Sequence, residues 1–138
     1  MRLLMSDVAA FYKACNIPVF NIPTIPADVR KALLIKLIDE AVIDELLPAM
    51  YAGDIVEIAD AIADSIYVLI GTALEYGIPL DAIWAIVQRS NMQKADPTTG
   101  KCITRADGKI LKPAGWKPPT EAIKACLDDY IEHPKERF

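Results

Sequence analysis

Apolar residues recur along most of this chain at gaps of three and four, the spacing that keeps side chains on one face of an α-helix. The first such stretch predicts a helix from about Leu3 to Ala14. NIPVFNIPTIP follows, where Pro18, Pro23 and Pro26 prevent regular helix. A second helix should begin near Ala27 or Asp28 and run to about Ala52, with Leu33, Leu34, Leu37, Ile38, Val42, Leu46 and Met50 close to the 3.6-residue period. Pro48 lies inside it and is expected to kink its last turn, and Gly53 suits a left-handed stop. Asp54 is placed to cap the next helix, because its carboxylate can accept from the orphan N–H groups of a first turn. That helix should reach about Tyr76, where Gly77 and Pro79 end it. A fourth is expected over about Leu80 to Lys94 and a last over about Thr120 to Ile131. Between them, ADPTTGKCITRADGKILKPAGWKPP holds the turn dipeptide Asp107-Gly108 between short alternating segments, which suits a small hairpin or an ordered loop. The pattern is that of an all-α bundle of four to five helices. The connector at Gly53 is so short that the two long helices must be antiparallel neighbours.

The third helix interrupts its own pattern. EIADAIAD places Glu57, Asp60 and Asp64 within about 60° of one another in helical projection, and on the preceding helix Glu40 and Asp44 lie about 40° apart. Around the first stripe, Ile55, Val56, Ile58, Ala59, Ala61, Ile62, Ala63, Ile66 and Val68 cover nearly every other direction. A helix apolar almost all round is expected to be buried, and buried charges of one sign must be neutralised, protonated or bound to metal. Oxygen-only donors favour a hard cation, Mg²⁺ or Mn²⁺, and Mg²⁺ commonly works beside substrate phosphates. Spacing alone leaves a second reading open, in which both stripes face solvent.

Composition narrows the class. With 53% hydrophobic and 25% charged residues in 138, one packed domain spanning residues 1–138 is expected, with a generous core and a charged tail, HPKERF, that is mobile from about residue 132. The net charge of −4 argues against a nucleic-acid polymer as partner. Cys15, Cys102 and Cys126 are an odd number with no CxxC pair, which suits free thiols in a reducing cytoplasm. SIYVLIGTAL is far short of the ~20 apolar residues that span a bilayer, so no membrane is expected, and no secretory signal is seen at the start of the chain. A helix pair this apolar also suggests that the core is completed by a second copy, as a homodimer or homotetramer. His133, the one histidine, lies in the charged tail, and no Ser or Cys has a histidine partner suited to covalent catalysis.

Four blocks in order, LIDEAVIDEL, GDIVEIADAIADSIYVLIGTALEYGIPL, RSNMQK and RADGKILKPAGWKPP, resemble the all-α nucleoside triphosphate pyrophosphohydrolases: the MazG-like enzymes and their relatives, the phosphoribosyl-ATP pyrophosphohydrolases and dimeric dUTPases. The resemblance covers about Arg30 to Pro119. It implies Mg²⁺-dependent cleavage of a nucleoside triphosphate between the α and β phosphates. The family pattern, EExxE on one helix and ExxD on the next, falls on Glu40, Ala41 and Asp44, and then either on Glu57 and Asp60 or on Ala61 and Asp64. Glu40, Asp44, Glu57, Asp60 and Asp64 are thereby implied as metal ligands, with Glu40, Asp44, Glu57 and Asp60 as the catalytic acids. Asn91 and Lys94 are implied as phosphate contacts, with Lys109, Lys112 and Trp116 as further substrate contacts. Two positions that are acidic in many relatives are alanine here. A phosphoribosyl-ATP or dUTP pyrophosphohydrolase, and a binding or assembly protein that has lost catalysis, are the alternatives.

Overall fold

A computed structural model describes residues 1–138. Its elements are α1 (Arg2–Ala14), α2 (Asp28–Asp39), a π-helical segment π1 (Glu40–Leu46), α3 (Leu47–Ala52), α4 (Ile55–Glu75), α5 (Leu80–Met92) and α6 (Thr120–Glu132). The fold is all-α. The loop between α5 and α6 is hairpin-like without forming strands: Thr104 and Ile110 make an isolated antiparallel bridge around the Asp107-Gly108 turn, and Leu111 N–H donates to the Ile103 carbonyl (2.8 Å).

The Gly53-Asp54 corner forms as its residues dictate. Gly53 takes a left-handed φ of 70°, and Asp54 Oδ1 accepts from Val56 N–H (3.0 Å) and Glu57 N–H (3.2 Å). Two of α4's orphan donors are thereby satisfied. The chain reverses, and α4 packs back along α2, π1 and α3.

The second predicted helix is continuous in space but not α-helical throughout. Asp39, Glu40, Leu46 and Leu47 all keep right-handed helical angles, yet Leu47 N–H donates to the Val42 carbonyl, five residues back. A widened π turn thus stands just before Pro48, the residue at which a kink was expected. Pro48 has no N–H to offer the carbonyl four residues earlier, which belongs to Asp44 within π1.

The generous core expected from composition is absent from the single chain, where 18 of 138 residues are buried. The main buried cluster joins Met5, Val8, Ala9 and Tyr12 of α1 to Ile70 and Leu74 of α4. Towards its N-terminal half, α4 meets the preceding helix through small residues: Ala41, Ala49, Ala61 and Ser65 are buried there, and Ser65 Oγ donates to the Ala41 carbonyl (3.4 Å). Large apolar residues on the other sides of α4 are left uncovered, with Ile55 74% and Val56 70% exposed. The expectation that α4 is buried all round is corrected accordingly, because α1 covers only its C-terminal half.

One charged pair in this frame has a buried carboxylate. Arg30, near the start of α2, donates Nε to Glu75 Oε2 (2.9 Å) and Nη2 to Oε1 (2.7 Å) at the end of α4, where Glu75 is 1% exposed. Burial first, and the Glu75 carboxylate second, push the neighbouring Tyr12 hydroxyl up to about 12. The Tyr12 hydroxyl lies where a Cβ on Gly71 would stand, so only glycine fits there. At the other end of the chain, the HPKERF segment expected to be mobile carries Arg137, whose guanidinium donates to the Gly77 and Ile78 carbonyls.

Candidate functional site

The antiparallel pair places acids opposite acids. An open groove of about 510 Å³ is lined by Asp44 and Glu45 of π1, by Asp54, and by Glu57, Asp60 and Asp64 of α4, with Pro48, Ala49, Ala52 and Ala61 between them. No lysine or arginine lines it. A recess of about 210 Å³ holds Glu40, Glu45 and Asp64 with Leu37, Ala41, Tyr67 and Val68. Glu45 and Asp64 line both. Asp54 is committed to capping α4, which leaves Glu40, Asp44, Glu45, Glu57, Asp60 and Asp64 free of backbone duties.

These carboxylates are not the buried charges that an all-apolar helix suggested. Asp44, Glu45, Glu57, Asp60 and Asp64 are exposed and Glu40 is half-buried, so water meets the cost of keeping six like charges on facing helices. Glu40 has one cationic neighbour, Lys36 Nζ at 3.6 Å. The donor type fits a hard divalent cation, oxygen only and with no basic side chain lining the groove. The side chains stand apart around it, and no three of them converge as a formed metal site would require.

Sequence spacing paired Glu40 with Asp44 and passed over Glu45. In a π turn the hydrogen bond runs from residue i to i+5, so the residue five on from Glu40 comes round beside it, and Glu40 and Glu45 share a recess. Asp44 instead joins the α4 acids in the groove. The one available signal was the DEL triplet at Asp44 to Leu46, in which either acid suits an EExxE pattern once one extra residue is accommodated. Ala41 and Ala61, the positions at which the resemblance placed acids, are both 5% exposed on the packed seam between π1 and α4. They serve close helix contact.

A second cluster forms at the end of α5. Lys94 Nζ donates to Asn91 Oδ1 (2.8 Å). Trp116 Nε1 donates to the Ser90 carbonyl (3.0 Å), which fixes the indole against α5, and Lys94 and Lys112 place their ammonium groups 5.3 and 4.7 Å from the ring centroid. Asn91, Lys94, Lys112 and Trp116 are thus brought together. Lys109 is not: it belongs to the Asp107-Gly108 turn, where its N–H donates to Asp107 Oδ1 (3.1 Å), and it lines neither the recess at Trp116 nor the one at Lys94 and Lys112. Those recesses share no lining residue with the acidic groove.

Comparison with known proteins bears on the family and the fold. A family model described as phosphoribosyl-ATP pyrophosphohydrolase matches residues 8–91, from α1 to the end of α5. The chain is similar in structure to a candidate NTP pyrophosphohydrolase from Exiguobacterium sp. 255-15, with 27% identity, 94% of this chain and 96% of that chain covered, and a TM-score of 0.51. No curated protein matches the chain. No helix is long and apolar enough to cross a membrane.

Proposed function

The chain belongs to the phosphoribosyl-ATP pyrophosphohydrolase family, and we propose that it hydrolyses a nucleoside triphosphate between the α and β phosphates, yielding a nucleoside monophosphate and pyrophosphate. The observation that carries this reading is the groove between π1 and α4, in which acids from two antiparallel helices meet with no basic side chain among them. Such a surface suits a divalent cation and, through it, a polyphosphate.

Glu40, Asp44, Glu45 and Asp64, which stand apart in the chain alone, would close on the cation, Mg²⁺ or Mn²⁺, to hold it. When bound, it supplies charge neutralisation of the polyphosphate and acidification of an attacking water. Glu57 and Asp60, further along the α4 stripe, orient that water, and one carboxylate oxygen takes up its proton as the bridging oxygen leaves with pyrophosphate. Lys94, held by Asn91, and Lys112 place two ammonium groups against the phosphates. Trp116 offers a flat apolar face beside them. Lys109 remains in this reading only as an outlying charge.

Two further points belong to the same reading. The exposed apolar residues of α4, Ile55 and Val56 among them, are covered by a second copy in a homodimer or higher oligomer, and light scattering that returned a 15.2 kDa species would refute this. Phosphoribosyl-ATP is the second substrate reading, favoured by the description of the matching family. The deciding experiment is pyrophosphate release in Mg²⁺ from a panel of nucleoside triphosphates and phosphoribosyl-ATP, with Asp64→Asn as control. Turnover of triphosphates, lost in the variant, is expected; turnover of phosphoribosyl-ATP alone would favour the second reading, and unchanged activity in Asp64→Asn would remove the metal role assigned to that residue.

A further inference from the structure

The α5–α6 pair, which carries the lysine cluster, packs chiefly on itself, while α1 to α4 form a separate body. What fixes one to the other is concentrated at the end of α4. There the connector after α1 takes up two carbonyls, Phe20 N–H donating to Leu74 (3.0 Å) and Thr24 N–H to Tyr76 (2.9 Å). Gly77 turns at a φ of 64°, and a Cβ there would strike the Ile22 carbonyl, so the connector lies directly on the turn.

Arg137 closes the same junction from the far side. Its Nη1 donates to the Ile78 carbonyl (3.0 Å) and its Nη2 to those of Gly77 (2.9 Å) and Phe20 (3.2 Å). Its backbone N–H donates to Asn21 Oδ1 (3.3 Å). The rings of Tyr130 on α6 and of Phe138 stand 5.6 Å from the guanidinium, and Phe138 packs against the α1–α4 core cluster. One side chain therefore touches the α4–α5 turn, the connector and α6 together. A cation at this place also meets the negative end of α4, where backbone carbonyls lack intrahelical donors.

We propose that Arg137 is a positioning residue that fixes the direction of α5 relative to α4, and through it the distance between the acidic groove and the Asn91–Lys94–Trp116 cluster. The second half rests on the function proposed above. The lever is long: α5 has 13 residues, about 20 Å at 1.5 Å each, so a tilt of roughly 15° at its base moves its tip by about 5 Å. That exceeds any tolerance in a hydrogen bond to phosphate. Lysine, with one ammonium in place of a planar fork, reaches fewer of the three carbonyls.

The test uses the full chain with Cys15, Cys102 and Cys126 replaced by serine, spin labels at Ala59→Cys on α4 and at the exposed Met92→Cys at the tip of α5, and dilution with unlabelled chain. Pulsed electron resonance should return one narrow distance in the parent, a distribution broadened or shifted by about 5 Å in Arg137→Ala, and an intermediate one in Arg137→Lys. Circular dichroism checks folding, and if the alanine variant does not fold, the lysine variant decides. A parent-like distribution in the folded variants overturns the proposal. In parallel, KM for the preferred nucleotide should rise roughly tenfold in Arg137→Ala with partial rescue by lysine; a changed distance with an unchanged KM overturns the link to the site. If the parent turns over no nucleotide, the proposed function fails, while the distance measurement still judges the clamp.

Discussion

Replacing Arg30 with methionine keeps much of its aliphatic stem and removes the guanidinium that holds Glu75. The two hydrogen bonds lost, 2.9 and 2.7 Å, leave a carboxylate that is 1% exposed without a partner. Removing one member of a buried pair typically costs about 3–5 kcal/mol. Arg30 itself is 32% exposed, so water can reach the vacated place, and a loss near the lower end, about 3 kcal/mol, is expected. An unfolding entropy of about 2.1 cal/mol/K per residue gives about 0.29 kcal/mol/K for a chain of 138 residues, so Tm should fall by about 10 °C. Urea denaturation at pH 7 and fixed protein concentration measures the change directly, with an unaltered m value showing that only stability moved. Adding Glu75→Gln removes the stranded charge, so the double variant should be more stable than the sum of the single losses predicts. If Arg30→Met costs under about 1 kcal/mol, or the two changes add within about 0.5 kcal/mol, the pair does not clamp α2 to α4.

Tyr12, raised to about 12 in the folded chain from an ordinary 10.0, favours the folded state as its neutral form; that contribution is complete below pH 10 and is lost as pH rises to about 12, roughly 3 kcal/mol in all. Tyr12→Phe should abolish this part of the alkaline loss in urea midpoints taken from pH 9 to 12. Gly71→Ala drives a methyl into the Tyr12 hydroxyl and ring and should cost about 1–3 kcal/mol, only partly relieved by Tyr12→Phe because the ring carbon remains. Mg²⁺ at 100 times its Kd should stabilise the chain by about 2.7 kcal/mol, raising Tm by roughly 9 °C, with the rise reduced in Glu45→Gln and in Asp64→Asn; no rise in the parent would refute the cation reading of the groove. Asp54→Ala should lower stability by about 1 kcal/mol, seen as a Tm fall of about 3 °C, through loss of the α4 cap.

Much of the candidate site was legible before any coordinates. Glu57, Asp60 and Asp64 share a stripe because α4 is regular, so 100° per residue places them correctly. Glu45 was hidden by the same arithmetic, since π1 advances in steps of a different size. That Ala41 and Ala61 lie buried on the seam between π1 and α4 could not be read from their place in the acidic pattern. Lys109 and Lys112 were both implied by the resemblance, but Lys109 is held in the Asp107-Gly108 turn while Lys112 reaches the Trp116 ring.

By itself the sequence determined what depends on a few neighbouring residues: the helices, the left-handed stop at Gly53, the cap at Asp54 and the breaks at Gly77 and Pro79. Each rests on local sterics or on hydrogen bonds spanning no more than a turn. Tertiary structure alone decided which acids face one another, which apolar faces stay uncovered, and where Arg137 lands, 59 and 60 residues from the carbonyls of the turn it holds. Those outcomes depend on how helices distant in sequence pack, and packing is settled by shape complementarity across the fold.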